Sequence, residues 1–314
     1  MHLLRYRDSS SGAMSVGVLR RDTISAIPSV TSLAQLWRLS REELKAAVTG
    51  ATGGERTLAD VTVAAPVDGR TEVWACGVTY EISREARTEE SERSPDVYRQ
   101  VYDADRPELF FKSVAWRVVG DGAAVAVRPD STVNVPEPEL ALVINRLGEI
   151  VGYTVCDDVS SRSIEGANPL YLPQAKSYLG ACAVGPMVRP VWEVDNPYDL
   201  GIELVISRSG RVVWQGTAST ARLHRRFDEL IEYLFRADAH PDGVVLSTGT
   251  CLVPSQAFSL TEGDIVQISI AEVGVLTTGV VRGPEAMSWL VNGTSVPGRP
   301  TAGHLAPATP REGL

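Results

Sequence analysis

The sequence predicts a β-rich α+β fold, on three observations. From about residue 123 onward, short apolar or alternating runs recur between Gly, Pro, Asn and Asp, the pattern of strands and turns. One amphipathic helix interrupts them, too little helix for the strand–helix alternation of a doubly wound parallel sheet. Ahead of these strands, residues 1–66 mix strand-like pieces with helix signals and read as a small N-terminal α+β module. A main β domain then spans 67–297. Residues 298–314, rich in Pro, Gly, Ala and Thr, read as a disordered tail.

The elements follow in order. Strand-like pieces cover 15–19 and 23–27. A helix is predicted from about Thr31, capped by Ser32, through Leu36, Trp37 and Leu39. A second helix over 41–48 stops at Gly50, and 49–55 reads as a loop. The polar stretch 83–105 is helix-prone, either a solvated helix face or a cover over a site. AVAVRP, ELALVI and IVGYTV are strands by composition and flanks. IELVIS and RVVWQG, separated by residues 208–210, suggest a hairpin. VVLSTG and DIVQISI follow, the latter after the turn Thr261-Glu262-Gly263-Asp264. In ARLHRRFDELIEYLFRAD, Leu223, Phe227, Leu230, Ile231, Leu234 and Phe235 form one apolar helical face. His224 lies beside that stripe as a helix-surface residue.

Composition excludes several functions. With 44% hydrophobic residues in 314, the chain can bury a real core. A formal charge of -9 repels phosphate backbones, so nucleic acid is not an expected partner. No apolar run approaches the roughly 20 residues of a membrane helix. The first residues lack the apolar stretch of a secretory signal, which makes the cytoplasm the expected location. Cys76, Cys156, Cys182 and Cys251 are far apart and form no C-x-x-C pair. They read as buried free thiols rather than zinc ligands or disulfides. Among 30 basic residues only Lys45, Lys112 and Lys176 are lysines. Arginine stays protonated whereas lysine is tunable, so chemistry that needs an amine base has few candidates.

The segment Pro136-Glu137-Pro138-Glu139-Leu140 leads into ELALVI. Residues i and i+2 of a strand share a face, so Glu137 and Glu139 project together and repel unless a cation sits between them or one of them is protonated. Pro138 cannot donate to a ladder, which puts it at a strand start or an edge. Asp158, nineteen residues after Glu139, ends the next predicted strand and would add a third oxygen if the two strands are neighbours. Three carboxylates without His or Cys suit a hard cation, Mg²⁺ or Mn²⁺, rather than zinc. The competing reading is an exposed acidic strand end. The following block, 158–177, carries Arg162 and Lys176 in a long loop after an apolar strand. These cations either face a ligand or pair with surface acids.

The order E-P-E-L-A-L-V-I, G-Y-T-V-C-D-D-V-S-S-R, Q-A-K-S-Y and G-P resembles the fumarylacetoacetate hydrolase superfamily. Cys76-Gly77-Val78-Thr79-Tyr80, Pro107-Glu108-Leu109-Phe110-Phe111-Lys112-Ser113 and Thr248-Gly249-Thr250 resemble further motifs of it, so the likeness runs from about Val73 to Val281. It implies a mixed β-sandwich roll and a homodimer or homotetramer. It also implies a divalent cation, Mg²⁺ or alternatively Mn²⁺, on Glu137, Glu139 and Asp158. Members that hydrolyse acylpyruvates usually carry a His-x-x-Glu dyad after the equivalent of Tyr80. Here Glu81-Ile82-Ser83-Arg84 follows, without histidine. Glu165 stands where many members have glutamine, and Asp157 where asparagine is usual. The string from Ser161 to Lys176 resembles the subgroup that dehydrates 2-keto-3-deoxy sugar acids.

That resemblance implies conversion of a 2-keto-3-deoxy-pentonate to 2,5-dioxopentanoate. A 2-keto acid chelates Mg²⁺ through its carboxylate and C2 carbonyl, and the metal stabilises the enolate formed when the C3 proton leaves. Lys176 and Glu108 are the implied acid–base pair. Arg162, Glu165, Thr250, Tyr80, Lys112 and Ser113 are the implied substrate-binding residues. The alternatives are acylpyruvate hydrolysis or decarboxylation, hydroxydienoate isomerisation, and a non-catalytic keto-acid-binding protein.

Overall fold

The apolar and alternating runs become strands, β1–β17, in two large sheets and one two-stranded pair. The structure, a computed structural model, describes residues 1–53, 56–84, 95–255 and 257–293. The early strands are β1 (His2–Asp8), β2 (Met14–Arg20), β3 (Thr23–Ala26), β4 (Val61–Ala64), β5 (Glu72–Gly77), β6 (Glu108–Val114) and β7 (Ala124–Val127). Next come β8 (Asn134–Val135), β9 (Pro138–Ile144), β10 (Ile150–Asp158), β11 (Ser160–Ser161) and β12 (Cys182–Pro190). The last are β13 (Gly201–Arg208), β14 (Arg211–Ser219), β15 (Val244–Ser247), β16 (Ile265–Ile270) and β17 (Gly274–Arg282).

The main sheet runs β3-β2-β1-β12-β10-β9-β15-β5-β6, with β4 also on β1, and the second runs β14-β13-β16-β17-β7. β8 pairs with β11. The sheets are mixed: β15 with β5 and β17 with β7 are parallel pairs.

The centre of the main sheet explains why ELALVI is a continuous apolar run. Leu140, Leu142 and Ile144 pack with Leu204, Val266, Ile268 and Leu276 of the second sheet. Ala141 and Val143 point the other way, onto Leu33, Trp37, Leu44 and Val48 of the N-terminal helices. A strand covered on both faces loses the polar half of its alternation. Leu140, Ala141, Leu142, Val143 and Ile144 are all wholly inaccessible. The main sheet continues through residues ahead of 66, because β1 pairs with β12 at Leu3 and Val188.

The two N-terminal helices, Leu33–Leu36 and Arg41–Gly50, lie where the pattern puts them. Ser32 stands at the N-cap position, but its hydroxyl donates to Asp68 Oδ1 (2.8 Å). Asp68 itself takes the freed amides of Leu33 (3.1 Å) and Ala34 (2.9 Å). The second helix carries a capping box of Ser40 and Glu43. The amphipathic helix is shorter than predicted, Phe227–Phe235. Leu223 bridges to Tyr80, and the His224 amide donates to the Thr79 carbonyl, so tertiary pairing claims the first turns. His224 is therefore not on the helix surface; its ring stacks on Tyr102 at 4.2 Å.

Of the stretch 83–105, residues 85–94 lie outside the described residues, as does the whole of 298–314. Residues 95–103 are helical, and the Arg225 guanidinium donates to the carbonyls of Val101 and Tyr102 in the last turn and of Ala104 just past it. All four cysteines are buried free thiols. Among the described residues no helix is long and apolar enough to cross a membrane.

Candidate active site

β9 and β10 are antiparallel neighbours, with Glu139 opposite Cys156 and Pro138 opposite Asp157. Pro138 opens its strand, where its missing N–H leaves no gap in the ladder. Just before it, the Glu137 amide donates to Asp157 Oδ1 (3.1 Å), and the Glu137 carbonyl accepts from the Asp158 amide (3.0 Å). This register brings Glu137, Glu139 and Asp158 together, each with one carboxylate oxygen within 4.8 Å of the others'. All three are at most 2% exposed, so the exposed acidic strand end is set aside.

Three buried carboxylates need positive charge nearby. Lys176 Nζ donates to Glu137 Oε2 (2.7 Å) and Asp158 Oδ2 (3.0 Å). Arg162 Nη1 donates to Glu137 Oε1 (3.1 Å), and the Lys112 ammonium pairs with Asp158 Oδ1. Arg162 and Lys176 thus pair with acids as the plainer reading expects, but inside the protein. Glu139 Oε2 accepts from Ser247 Oγ (2.5 Å) and from the Gly249 amide (2.7 Å). Burial first, then the charges of Asp158 and Glu137, push the Glu139 carboxyl up to about 8. A carboxyl so crowded by anions at near-full burial is what a dication relieves, and an all-oxygen donor set matches a hard one. The residues present therefore fit Mg²⁺.

Asp157 answers the departure from asparagine. Burial lifts its carboxyl to about 8, and its Oδ1 accepts the Glu137 amide. A protonated aspartic acid presents one acceptor and one donor, as an asparagine side chain does.

A cleft opens over Glu137 and Glu139, lined also by Glu108, Phe110, Glu165, Lys176 and Thr250. Its free space is about 10 Å³, room for one water-sized atom. Arg162 and Glu165 sit three residues apart on the helix Arg162–Ala167, one turn of one face. Lys176 closes the helix Leu172–Lys176 and lies over the Phe110 ring at 5.6 Å. Thr250 Oγ1 lies 3.1 Å from the carbonyls of Pro138 and Leu252.

Three predicted substrate contacts, Tyr80, Lys112 and Ser113, do not line this cleft. The ladder of β6 on β5 shifts register at Lys112, the residue left over between the pairs Phe111–Trp74 and Ser113–Val73. Ser113 Oγ donates to the Val114 carbonyl, and its Cα pairs with Val73. Tyr80 is 1% exposed in the core between the sheets. Lys112 faces the site from behind the carboxylates: beyond Asp158, it donates to the carbonyls of Val159 (3.1 Å) and Lys176 (2.5 Å). Its three N–H donors are spent on protein groups, leaving none for a substrate.

Lys112→Met is expected to destabilise the chelator-treated protein by about 3 kcal/mol, the cost of leaving a buried charge without its partner. Mg²⁺ restores part of this by pairing with Asp158. Thermal melts with and without chelator measure both effects, and an unchanged melting temperature in chelator refutes this role.

Sequence reasoning missed Ser83, Phe110 and Leu172 at the cleft and Ser247 behind Glu139. It also missed the bend at Val78. That buried β-branched residue has φ 53°, a left-handed conformation that costs energy and marks where the chain leaves β5 to line the cleft.

The likeness to known proteins agrees with this geometry. A 2-keto-3-deoxy-D-arabinonate dehydratase solved with magnesium and 2,5-dioxopentanoate superposes with a TM-score of 0.78 at 37% identity, covering 90% of this chain and 99% of that one. A probable 2-keto-3-deoxyxylonate dehydratase of Haloferax volcanii is 46% identical over 87% of this chain and 93% of its own. A 2-dehydro-3-deoxy-D-arabinonate dehydratase of Saccharolobus solfataricus is 47% identical over 70% of this chain and 75% of its own. Residues 73–281 match the family model described as fumarylacetoacetate (FAA) hydrolase C-terminal, and the chain belongs to the fumarylacetoacetate hydrolase family.

Proposed function

We propose that the protein is a Mg²⁺-dependent hydro-lyase that converts a 2-keto-3-deoxy-pentonate to 2,5-dioxopentanoate and water. The observation that carries this reading is a buried three-carboxylate cluster whose Glu137 and Glu139 share one cleft with the Lys176 amine and the Glu108 carboxyl. Likeness to dehydratases of such acids supports the substrate class.

Glu137, Glu139 and Asp158 would hold Mg²⁺, which would supply a Lewis acid for the keto acid and so acidify its C3–H bond. Lys176 Nζ takes the C3 proton. Its contacts with Glu137 and Asp158 keep it beside the metal ligands, and a neutral amine is favoured when those carboxylates hold a dication. Glu108 protonates the departing C4 hydroxyl, so one proton and one hydroxide leave as water. The unsaturated acid then tautomerises to the terminal aldehyde. Arg162 keeps Glu137 in place, while Glu165 and Thr250 orient the substrate hydroxyls. A five-carbon acid needs several times the free space present, so the cleft widens on substrate entry.

No histidine lines the cleft among the described residues, which weighs against hydrolysis through a His-x-x-Glu dyad. An oligomer of identical chains fits the exposed Val212 and Val213 on the edge strand β14.

Purified protein mixed with 2-keto-3-deoxy-arabinonate and Mg²⁺ is expected to form the semialdehyde, and a chelator to stop it. No product with Mg²⁺ present refutes the proposal. Turnover of an acylpyruvate in its place assigns the chain to the hydrolytic branch of the family.

A further inference from the structure

Gly77 closes β5 and is the Cα partner of Glu108 on β6. A Cβ built on Gly77 would lie 2.0 Å from Glu108 Oε2 and 2.6 Å from its Cδ. The Glu108 side chain therefore lies across the Gly77 backbone, in the volume that any other residue's side chain fills. Two reasons for a glycine can be separated here. Gly249 has φ +94°, a backbone that favours glycine, and a Cβ there would also strike Thr79 Oγ1 at 1.9 Å. Gly77 is not among the glycines with positive φ, so its backbone accepts an L side chain. The need at 77 is for room.

What a Cβ would strike is the free end of a flexible side chain, not backbone. An alanine at 77 is accommodated by swinging Glu108 away, which spares the fold and moves the carboxyl out of its place over the cleft. We infer that Gly77 is a positioning residue: its missing side chain is the seat that holds the Glu108 carboxyl at the reacting C4 hydroxyl. The inference rests on Glu108 as the acid of the proposed reaction.

A double-mutant cycle tests it. Glu108→Gln is expected to lower kcat by about 10²-fold or more, the range for loss of a general acid. Gly77→Ala is expected to lower kcat by about tenfold or more, with KM within about twofold, since only the acid's placement changes. Its Mg²⁺ titration and melting temperature stay at wild-type values. In the double variant kcat equals that of Glu108→Gln within about twofold, because residues acting as one unit are not additive. Additive losses, a wild-type kcat for Gly77→Ala, or a much lowered melting temperature each overturn the inference and leave Glu108's role standing. An unchanged kcat in Glu108→Gln overturns the acid assignment itself.

Discussion

Lys176→Arg is expected to lower kcat for dehydration by about 10²–10⁴-fold, the contribution of a well-placed general base. The substitution keeps the charge that Glu137 and Asp158 require, so folding and Mg²⁺ binding survive. What it removes is the amine's capacity to be neutral, because a guanidinium does not give up its proton in a protein. Lys176 is 2% exposed and sits within 3.0 Å of two carboxylates of the cluster. No other lysine can take over: Lys45 lies over Trp192, and the Lys112 donors are bound behind Asp158. Steady-state kinetics beside a Mg²⁺ titration measure the two properties separately. Wild-type turnover in this variant refutes Lys176 as the base.

What the sequence made legible was whatever rests on local spacing. Glu137-Pro138-Glu139 is a strand entry whose geometry follows from period two and from proline's missing donor, and β9 starts there. The run ELALVI reads as a strand because both its faces are covered. Long-range partners left no such mark. Ser247 and Gly249 hold Glu139 from 108 and 110 residues away, and nothing near Glu139 announces them. β1 and β12 were not anticipated either: HLLRYRD alternates only weakly, and CAVGPMVRP carries Gly and Pro inside. Lys112 shows a different limit. Its proximity to the site is real, but a contiguous motif does not say whether a side chain meets the ligand or braces the groups that do. The same holds for Tyr80, in the core between the sheets, and for Ser113, whose hydroxyl donates to the Val114 carbonyl.

Glu139→Gln is expected to abolish function and to stabilise the metal-free protein at alkaline pH. Removing one of three anionic oxygen donors strips most of the Mg²⁺ affinity. The Lewis-acid contribution lost with the metal is several kcal/mol, at least about 10³-fold in kcat. The stability effect has the opposite sign. Unfolded, Glu139 ionises near its ordinary value of 4.5; folded, burial and the charges of Asp158 and Glu137 hold it at about 8. Between those values the folded chain binds the extra proton. Stability without metal therefore falls as pH rises from 4.5 to 8, and above 8 the whole penalty of a buried anion is present. A glutamine cannot ionise and does not pay that penalty. Asp157, also lifted to about 8, keeps part of the slope in the variant. In chelator, the two proteins should melt together near pH 5, with the variant melting higher at pH 8–9. Added Mg²⁺ should raise the wild-type melting temperature by an amount that grows with pH, because metal and proton compete for the same oxygens. The variant should show little rise at any pH. If it melts lower than the wild type at pH 9, the Glu139 carboxylate is stabilising the fold instead of being held in it at a cost for the metal's sake.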